Sequence, residues 1–250
     1  MSSCRLLENK VALITGVNRG IGQTIMELFA QNGANIWACY RTLDIDFEAK
    51  LKSLATNNKV SIKSLHFDLA NEQQIKDSLR PLLKNRDRID ILVNNAGVAH
   101  GSFFQMTSIQ QIRDIFNINF FSQLLITQLV TKLMKKQQSG SVINLASIAG
   151  IDPEEGFIAY GSSKAALIYA TKTLAMELGP DNIRVNAIAP GLTDTSMARQ
   201  MEVKAKERMI NQSSMKRLAT PDEIAKVTLF LASDNAQFIN GQVIRVDGGM

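Results

Sequence analysis

The chain has 250 residues, a formal net charge of +5, two cysteines and two histidines, which suits one large α/β domain that needs no covalent staples. Cys4 and Cys39 are too few for a disulfide framework, and with His66 and His100 too few for a zinc hydrolase built on several histidines, so no metal is expected. Scattered basic charge without an aromatic stacking motif gives no support for a nucleic-acid partner; early charges at Arg5, Glu8 and Lys10 and the shortness of every apolar run argue for a cytoplasmic protein without a membrane partner.

The first predicted element is an apolar strand over 11–14, broken by Thr15 and Gly16. Gly16, Gly20 and Gly22 then open a helix over 20–32. A Cβ in such a turn would hold the backbone away from a bound phosphate or force a strained conformation. The helix points its free amide donors at the same spot, so strand, turn and helix together predict a nucleotide site. A second strand, 35–39, precedes a helix over 47–56. A third, 61–67, precedes a helix over 72–83 with Asn71 as its cap. Strand 89–93 leads into one long helical segment over 109–136. Strand 142–145 leads to a helix over 160–178, closed by Gly179 and Pro180. Strand 185–189 stops at Pro190. Segment 193–218 carries Met197, Met201, Met209 and Met215 and predicts one or two short helices outside the sheet. It reads as an adaptable flap over a ligand, a dimer contact or plain surface. A proline-opened helix over 221–231 and a strand over 243–246 complete the pattern.

Apolar strands alternating with helices predict a single doubly wound α/β domain over 1–250, its parallel sheet covered on both faces. Ligands of such sheets lie at the carboxyl ends of the strands. That edge gathers Gly16, Asn18 and Arg19, then Tyr40 and Arg41, Asp68, Asn95 and Gly97, Ser147, and Pro190 and Gly191. A carboxylate ending the second strand would accept the ribose hydroxyls of NAD. Tyr40 and Arg41 stand there instead, with no acid before Asp44. Arg41 and Arg19 suit a 2′-phosphate, which favours NADP. Asp68 either accepts from the adenine amino group or caps a helix.

Tyr160 and Lys164, four residues apart, share a helical face. A free phenol titrates near ~10, and a neighbouring ammonium is expected to pull it down into the range of a usable acid. Ser147, at the end of the fifth strand, can hold a substrate oxygen as charge develops on it. A serine hydrolase would need a histidine in the right chain order and a G-x-S-x-G context, and neither is present. Asn119 lies in the apolar stretch 115–121, where it is a poor helix former and costly if buried unpaired. It is expected to bind a water that relays protons to Lys164.

With TGVNRGIG at Thr15–Gly22, NNAG at Asn94–Gly97, Asn119, Ser147, YGSSK at Tyr160–Lys164 and PG at Pro190–Gly191, the chain resembles the short-chain dehydrogenases/reductases over essentially its full length. The resemblance implies a Rossmann fold with a seven-stranded parallel sheet, usually a homotetramer, and accounts for the wide glycine spacing. It implies a catalytic set of Asn119, Ser147, Tyr160 and Lys164, with Tyr160 the proton donor and Lys164 also on the nicotinamide ribose. NADP contacts carry over to Gly16, Asn18, Arg19, Gly20, Ile21, Gly22, Tyr40, Arg41, Asp68, Leu69, Asn95, Ala96, Gly97, Pro190, Gly191, Thr193 and Thr195, besides Tyr160 and Lys164.

The endings MKRLATPDEIA at Met215–Ala225, FLASD at Phe230–Asp234 and FINGQVIRVDGGM at Phe238–Met250 are similar to those of bacterial 3-oxoacyl-acyl-carrier-protein reductases. This implies NADPH-dependent reduction of a 3-oxoacyl thioester in fatty acid biosynthesis. Alcohol, sugar and steroid members share such endings, so an NADP-dependent dehydrogenase of a small hydroxy compound is the alternative. Two arginines that bind the carrier protein in typical members of the subgroup fall at Gln138 and Asp181, with Lys132, Lys135, Lys136 and Lys172 nearby. Asp152, Pro153, Glu154 and Glu155 form an acidic loop beyond Ser147. Both departures bear against acyl carrier protein as a partner.

Overall fold

Seven strands pair in parallel in the order β3-β2-β1-β4-β5-β6-β7. They are β1 Val11–Thr15, β2 Asn35–Tyr40, β3 Ile62–His66, β4 Ile91–Asn94, β5 Gly140–Leu145, β6 Ile183–Pro190 and β7 Val243–Val246. The structure is a computed structural model that describes residues 5–199, 201 and 203–250. Cys4, Gln200, Glu202 and the side chain of Met197 lie outside the described residues.

Side chains alternate across a strand, so each strand feeds two cores. Ile14 of β1 and Ile143 of β5 pack beneath α1 (Gly20–Gln31) and α9 (Pro221–Ala232), against Ile25, Phe29 and Ile224. Their neighbours Leu13 and Val142 pack on the opposite face, beneath α3 (Glu72–Asn85) and α5 (Ser122–Gln137), against Leu79 and Ile126. Each such side chain contributes about 1.5–3 kcal/mol by leaving water. Strand order reverses between β1 and β4, and the crevice outside their carboxyl ends is where a doubly wound sheet takes its ligand.

Local chemistry moved several predicted boundaries. The helix α2 runs Ile45–Asn58, two residues earlier than expected, because the Asp44 carboxylate accepts from the amides of Asp46 and Phe47 at 3.0 and 3.1 Å. The segment predicted as one helix over 109–136 is three pieces: α4 (Ile109–Phe116), a single π turn over Asn117–Phe121, and α5. The final long helix, α6, spans Ile158–Leu178. Segment 193–218 forms two short helices, α7 (Ser196–Arg199) and α8 (Val203–Gln212), clear of the sheet. Asn71 caps α3, as its sequence position implied, through the amide of Gln74 at 3.1 Å.

Candidate active site

The glycine turn after β1 separates three roles that spacing alone could not. A Cβ on Gly22 would lie 2.2 Å from the Gly16 carbonyl oxygen and 2.3 Å from Asn95 Nδ2, so this glycine lets the turn close on itself. Gly16, at φ +72°, packs against Ala96 and Asn95. Gly20, at φ +56°, faces open space except for Thr195 Cγ2, 3.5 Å from a built Cβ. Gly20 is therefore where a phosphate can meet bare backbone at the head of α1. Ile21, half-buried, follows it on that helix. Thr195 brings the segment leading into α7 alongside the phosphate cradle.

The loop after β4 is stitched to this turn. Thr15 Oγ1 accepts from the amides of Asn95 and Ala96, both at 3.0 Å. Asn95 Nδ2 donates to the carbonyls of Thr15 and Gly16 at 2.9 and 3.1 Å. Gln123 of α5 donates to the Ala96 carbonyl at 2.8 Å. Gln123 escaped the sequence reading, and Thr15 entered it as the strand breaker that opens the glycine motif, without this stitching role.

Beyond the ends of β1 and β2 lies a cleft of about 500 Å³ lined by Asn18, Arg41, Thr42, Leu43, Asp44, Ile45 and Asp46. Asn18 and Arg41 both line it, whereas the sequence set Arg19 beside Arg41 at the 2′-phosphate. Arg19 is exposed at the N-cap of α1 but does not line the cleft. Tyr40 requires a correction. Its ring is buried, and its hydroxyl donates to Glu48 rather than facing the cleft. Burial and the Glu48 carboxylate push that phenol above its ordinary range. Asp68 is not the cap of α3: its Oδ1 accepts from the amide of Ala70 at 2.9 Å in a turn that carries Leu69 along the sheet edge.

The chemical group forms where α6, β5 and the π turn converge. Ser147 lies two residues beyond β5 and caps a short 3₁₀ turn, accepting from the Ala149 amide at 3.2 Å. Lys164 is buried, 3 % exposed, and donates to the Leu145 carbonyl at 2.7 Å. Its Nζ lies 5.9 Å from the centroid of the Tyr160 ring. Burial holds Tyr160 above the usual phenol value, and a hydrogen bond with Ser147 opposes that shift. Burial lowers Lys164 to about 8. The expectation that the ammonium dominates the phenol is therefore corrected. The ammonium is committed to a carbonyl and sits over the ring face, so desolvation pushes both groups toward their neutral forms.

Asn119 is fully buried and fully partnered. It accepts from the Val98 amide at 2.9 Å, donates to the Val98 carbonyl at 2.8 Å and donates to Ser163 Oγ at 3.1 Å. The side chain therefore clips the loop after β4 onto α6. The π turn lets an asparagine sit within an apolar helix and still point at this loop. Gly97 lies between, where a Cβ would be 3.1 Å from Asn119 Oδ1 and 3.5 Å from Lys164 Nζ. Its bareness leaves a second open approach beside Lys164.

On the far side, Pro190 ends β6, and the Gly191 amide donates to Val246 at 2.9 Å. Thr193 Oγ1 donates to the Gly191 carbonyl at 3.1 Å, and Thr195 continues toward Gly20. Sequence order gave no hint of two latches here. Asp152 pairs with Arg245 at 2.6 Å, and Glu154 with Arg208 of α8 at 2.9 Å. The acidic loop is thereby tied to the C-terminal strand and to the outer helices. Asp181 pairs with Lys135 at 2.9 Å, and Gln138 Nε2 lies 3.4 Å from the Asp181 carboxylate.

Comparison with known proteins agrees with this geometry. A family model described as Enoyl-(Acyl carrier protein) reductase matches residues 16–250. The chain is 38% identical over 247 residues to the 3-oxoacyl-[acyl-carrier-protein] reductase of Thermotoga maritima, covering 98% of each. It is 35% identical over 246 residues to the 3alpha-hydroxysteroid dehydrogenase of Mediterraneibacter gnavus, covering 97% of each. A protein from Beutenbergia cavernae assigned as an NAD(P)-dependent gluconate 5-dehydrogenase, solved with NADP at low occupancy, superposes with a TM-score of 0.91 at 28% identity and 98% coverage of both chains.

Proposed function

The chain belongs to the short-chain dehydrogenase/reductase family, whose members are oxidoreductases, and from that premise we propose that it reduces the ketone of a 3-oxoacyl thioester to a secondary alcohol with NADPH. The observation that carries the reading is the convergence of Ser147, Tyr160 and Lys164 beside the bare backbone of Gly97, on the same sheet edge as the Gly20 cradle. The residues present fit a dinucleotide. Gly20 offers uncovered amides to the diphosphate, Arg41 and Asn18 line a cleft large enough for the adenosine end, and Lys164 lies where the nicotinamide ribose would come. When bound, that cofactor supplies the hydride.

The chain's own groups do the rest. Ser147 donates to the carbonyl oxygen and holds it in place. Tyr160 transfers its proton to the same oxygen. With its phenol held above its ordinary value, Tyr160 carries its proton at neutral pH and has it ready to transfer. Lys164 stabilises the phenolate left behind and, titrating at about 8, is the group placed to return a proton. Asn119 keeps Gly97 and Val98 seated beneath the reacting centre.

The thioester rests on the Thermotoga maritima relative and on the similarity of the C-terminal motifs. A second reading, oxidation of a small sugar or steroid alcohol, is favoured by the closed Lys135–Asp181–Gln138 cluster, which leaves no arginine pair for a carrier protein, and by the steroid and gluconate relatives. The same proposal takes 193–218 as a substrate flap, the assembly as a cytoplasmic homotetramer and the pathway as fatty acid biosynthesis. Tyr169 and Met176, both exposed and two turns apart on one face of α6, support further association. Steady-state NADPH consumption separates the readings. Acetoacetyl thioesters turning over well ahead of simple ketones and sugar-derived ketones would support the first, and the reverse order the second.

A further inference from the structure

Glu48 stands outside the catalytic group, yet it is the hub of a polar cluster at the end of β2. Strand pairing sets Tyr40 opposite His66, and Ser64 projects on the same face two residues earlier. All three reach the underside of α2. The Tyr40 hydroxyl and the Ser64 hydroxyl both donate to Glu48 Oε1, and His66 Nε2 lies 3.7 Å from that oxygen. The Tyr40 ring is held edge-on between Phe47 and His66, with centroids at 5.1 and 4.5 Å. The two hydroxyls hold the Glu48 carboxyl below its ordinary value, so it is ionised at neutral pH.

The cluster grips both ends of one short segment. Residues 41–46 are all exposed and supply most of the cleft lining, while Tyr40 before them and Phe47 after them are buried. Exposed throughout, the segment is shaped by these anchors and by the Asp44 cap on the amides of Asp46 and Phe47. Glu48, in the first turn of α2, ties Tyr40 directly to the helix whose opening residues, Ile45 and Asp46, end the segment. An apolar side chain at 48 would fill the same space but leave the Tyr40 and Ser64 hydroxyls without their acceptor, so the carboxylate does more here than pack.

We propose that Glu48 is a positioning residue for cofactor choice: it clamps the ends of the Arg41–Asp46 segment and so presents the Arg41 guanidinium to the 2′-phosphate of the adenosine ribose. The inference rests on the NADP reading given above. Preorganisation of this kind works by sparing the ligand the ordering of a loop. Loss of Glu48 therefore weakens the phosphorylated ligand and leaves the unphosphorylated one nearly alone.

The test is calorimetric binding of adenosine 2′,5′-bisphosphate and adenosine 5′-monophosphate to the full chain, without turnover. Glu48→Met should raise Kd for the bisphosphate about tenfold and change that for the monophosphate less than about twofold. Glu48→Gln, which keeps an accepting oxygen for both hydroxyls, should restore most of the difference. Should Glu48→Met fail to fold, Tyr40→Phe removes one arm of the clamp and should raise the bisphosphate Kd alone. Equal weakening of both ligands, or no change in either, overturns the inference. Arg41→Ala separates it from its premise. If wild type does not prefer the bisphosphate and Arg41→Ala changes nothing, the NADP reading fails and takes this inference with it. If Arg41→Ala abolishes a preference that Glu48→Met retains, the clamp alone is refuted.

Discussion

Replacing Lys164 by methionine isolates the energetic cost of the site. Lys164 is almost fully buried, and its ammonium titrates at about 8 against 10.5 in the unfolded chain. Between those values the unfolded state binds more protons than the folded state, so stability rises with pH through that window. The contribution is complete above 10.5 and gone once pH falls through 8. Its size, from the displacement itself, is about 3 kcal/mol. At neutral pH the cofactor-free protein thus carries a charge in a place that disfavours it. The methionine variant does not. It also leaves the Leu145 carbonyl without its donor, which costs about 1–3 kcal/mol at every pH and shifts the level rather than the slope. The assay is urea denaturation of both proteins, free of cofactor, at intervals from pH 7 to 10.5. The stability of wild type relative to Lys164→Met should climb by about 3 kcal/mol across that range. Parallel curves would refute the reasoning, because they would mean that Lys164 has an ordinary affinity for its proton in the folded state.

Gly22→Ala places a methyl 2.2 Å from the Gly16 carbonyl oxygen and should lower stability by about 3 kcal/mol, read as a fall in Tm. Gly20→Ala meets no close atom and should cost only about 1–2 kcal/mol for its positive φ, yet abolish cofactor binding in calorimetry, because its methyl fills the phosphate cradle. Arg208→Gln removes an exposed ion pair and should leave stability within about 1 kcal/mol. It should also make the ketone KM respond less to salt than that of wild type; the same salt response in both proteins would detach the Glu154–Arg208 latch from the substrate mouth.

The sheet was legible because alternation and strand length are local properties. Leu13 and Ile14 alone announce a strand buried on both faces, and the order of glycine turns and polar strand ends located the ligand edge. The π turn was not legible: Asn117–Phe121 reads as ordinary apolar helix, and only the loop after β4, supplying the Val98 amide and carbonyl, explains why the helix widens there. Tyr40 was placed at the right strand end with the wrong direction, because its hydroxyl is claimed by Glu48, a residue on the next helix. The electrostatics of Tyr160 and Lys164 were misjudged from their spacing. Proximity on a helix face suggested attraction, whereas desolvation is the largest influence on both the half-buried Tyr160 and the buried Lys164. The Asp152–Arg245 pair, joining loop and C-terminal strand, has no signature in sequence at all.

The claim on which the rest depends is that the Tyr160 hydroxyl is the acid of a ketone reduction. Tyr160→Phe removes one oxygen and keeps the ring that packs beside Phe157 at 6.0 Å. Single-turnover oxidation of bound NADPH by an acetoacetyl thioester, measured alongside NADPH affinity for the same preparation, tests it directly. The account predicts that NADPH binds the variant as it binds wild type while oxidation falls to background. Oxidation at the wild-type rate would contradict it.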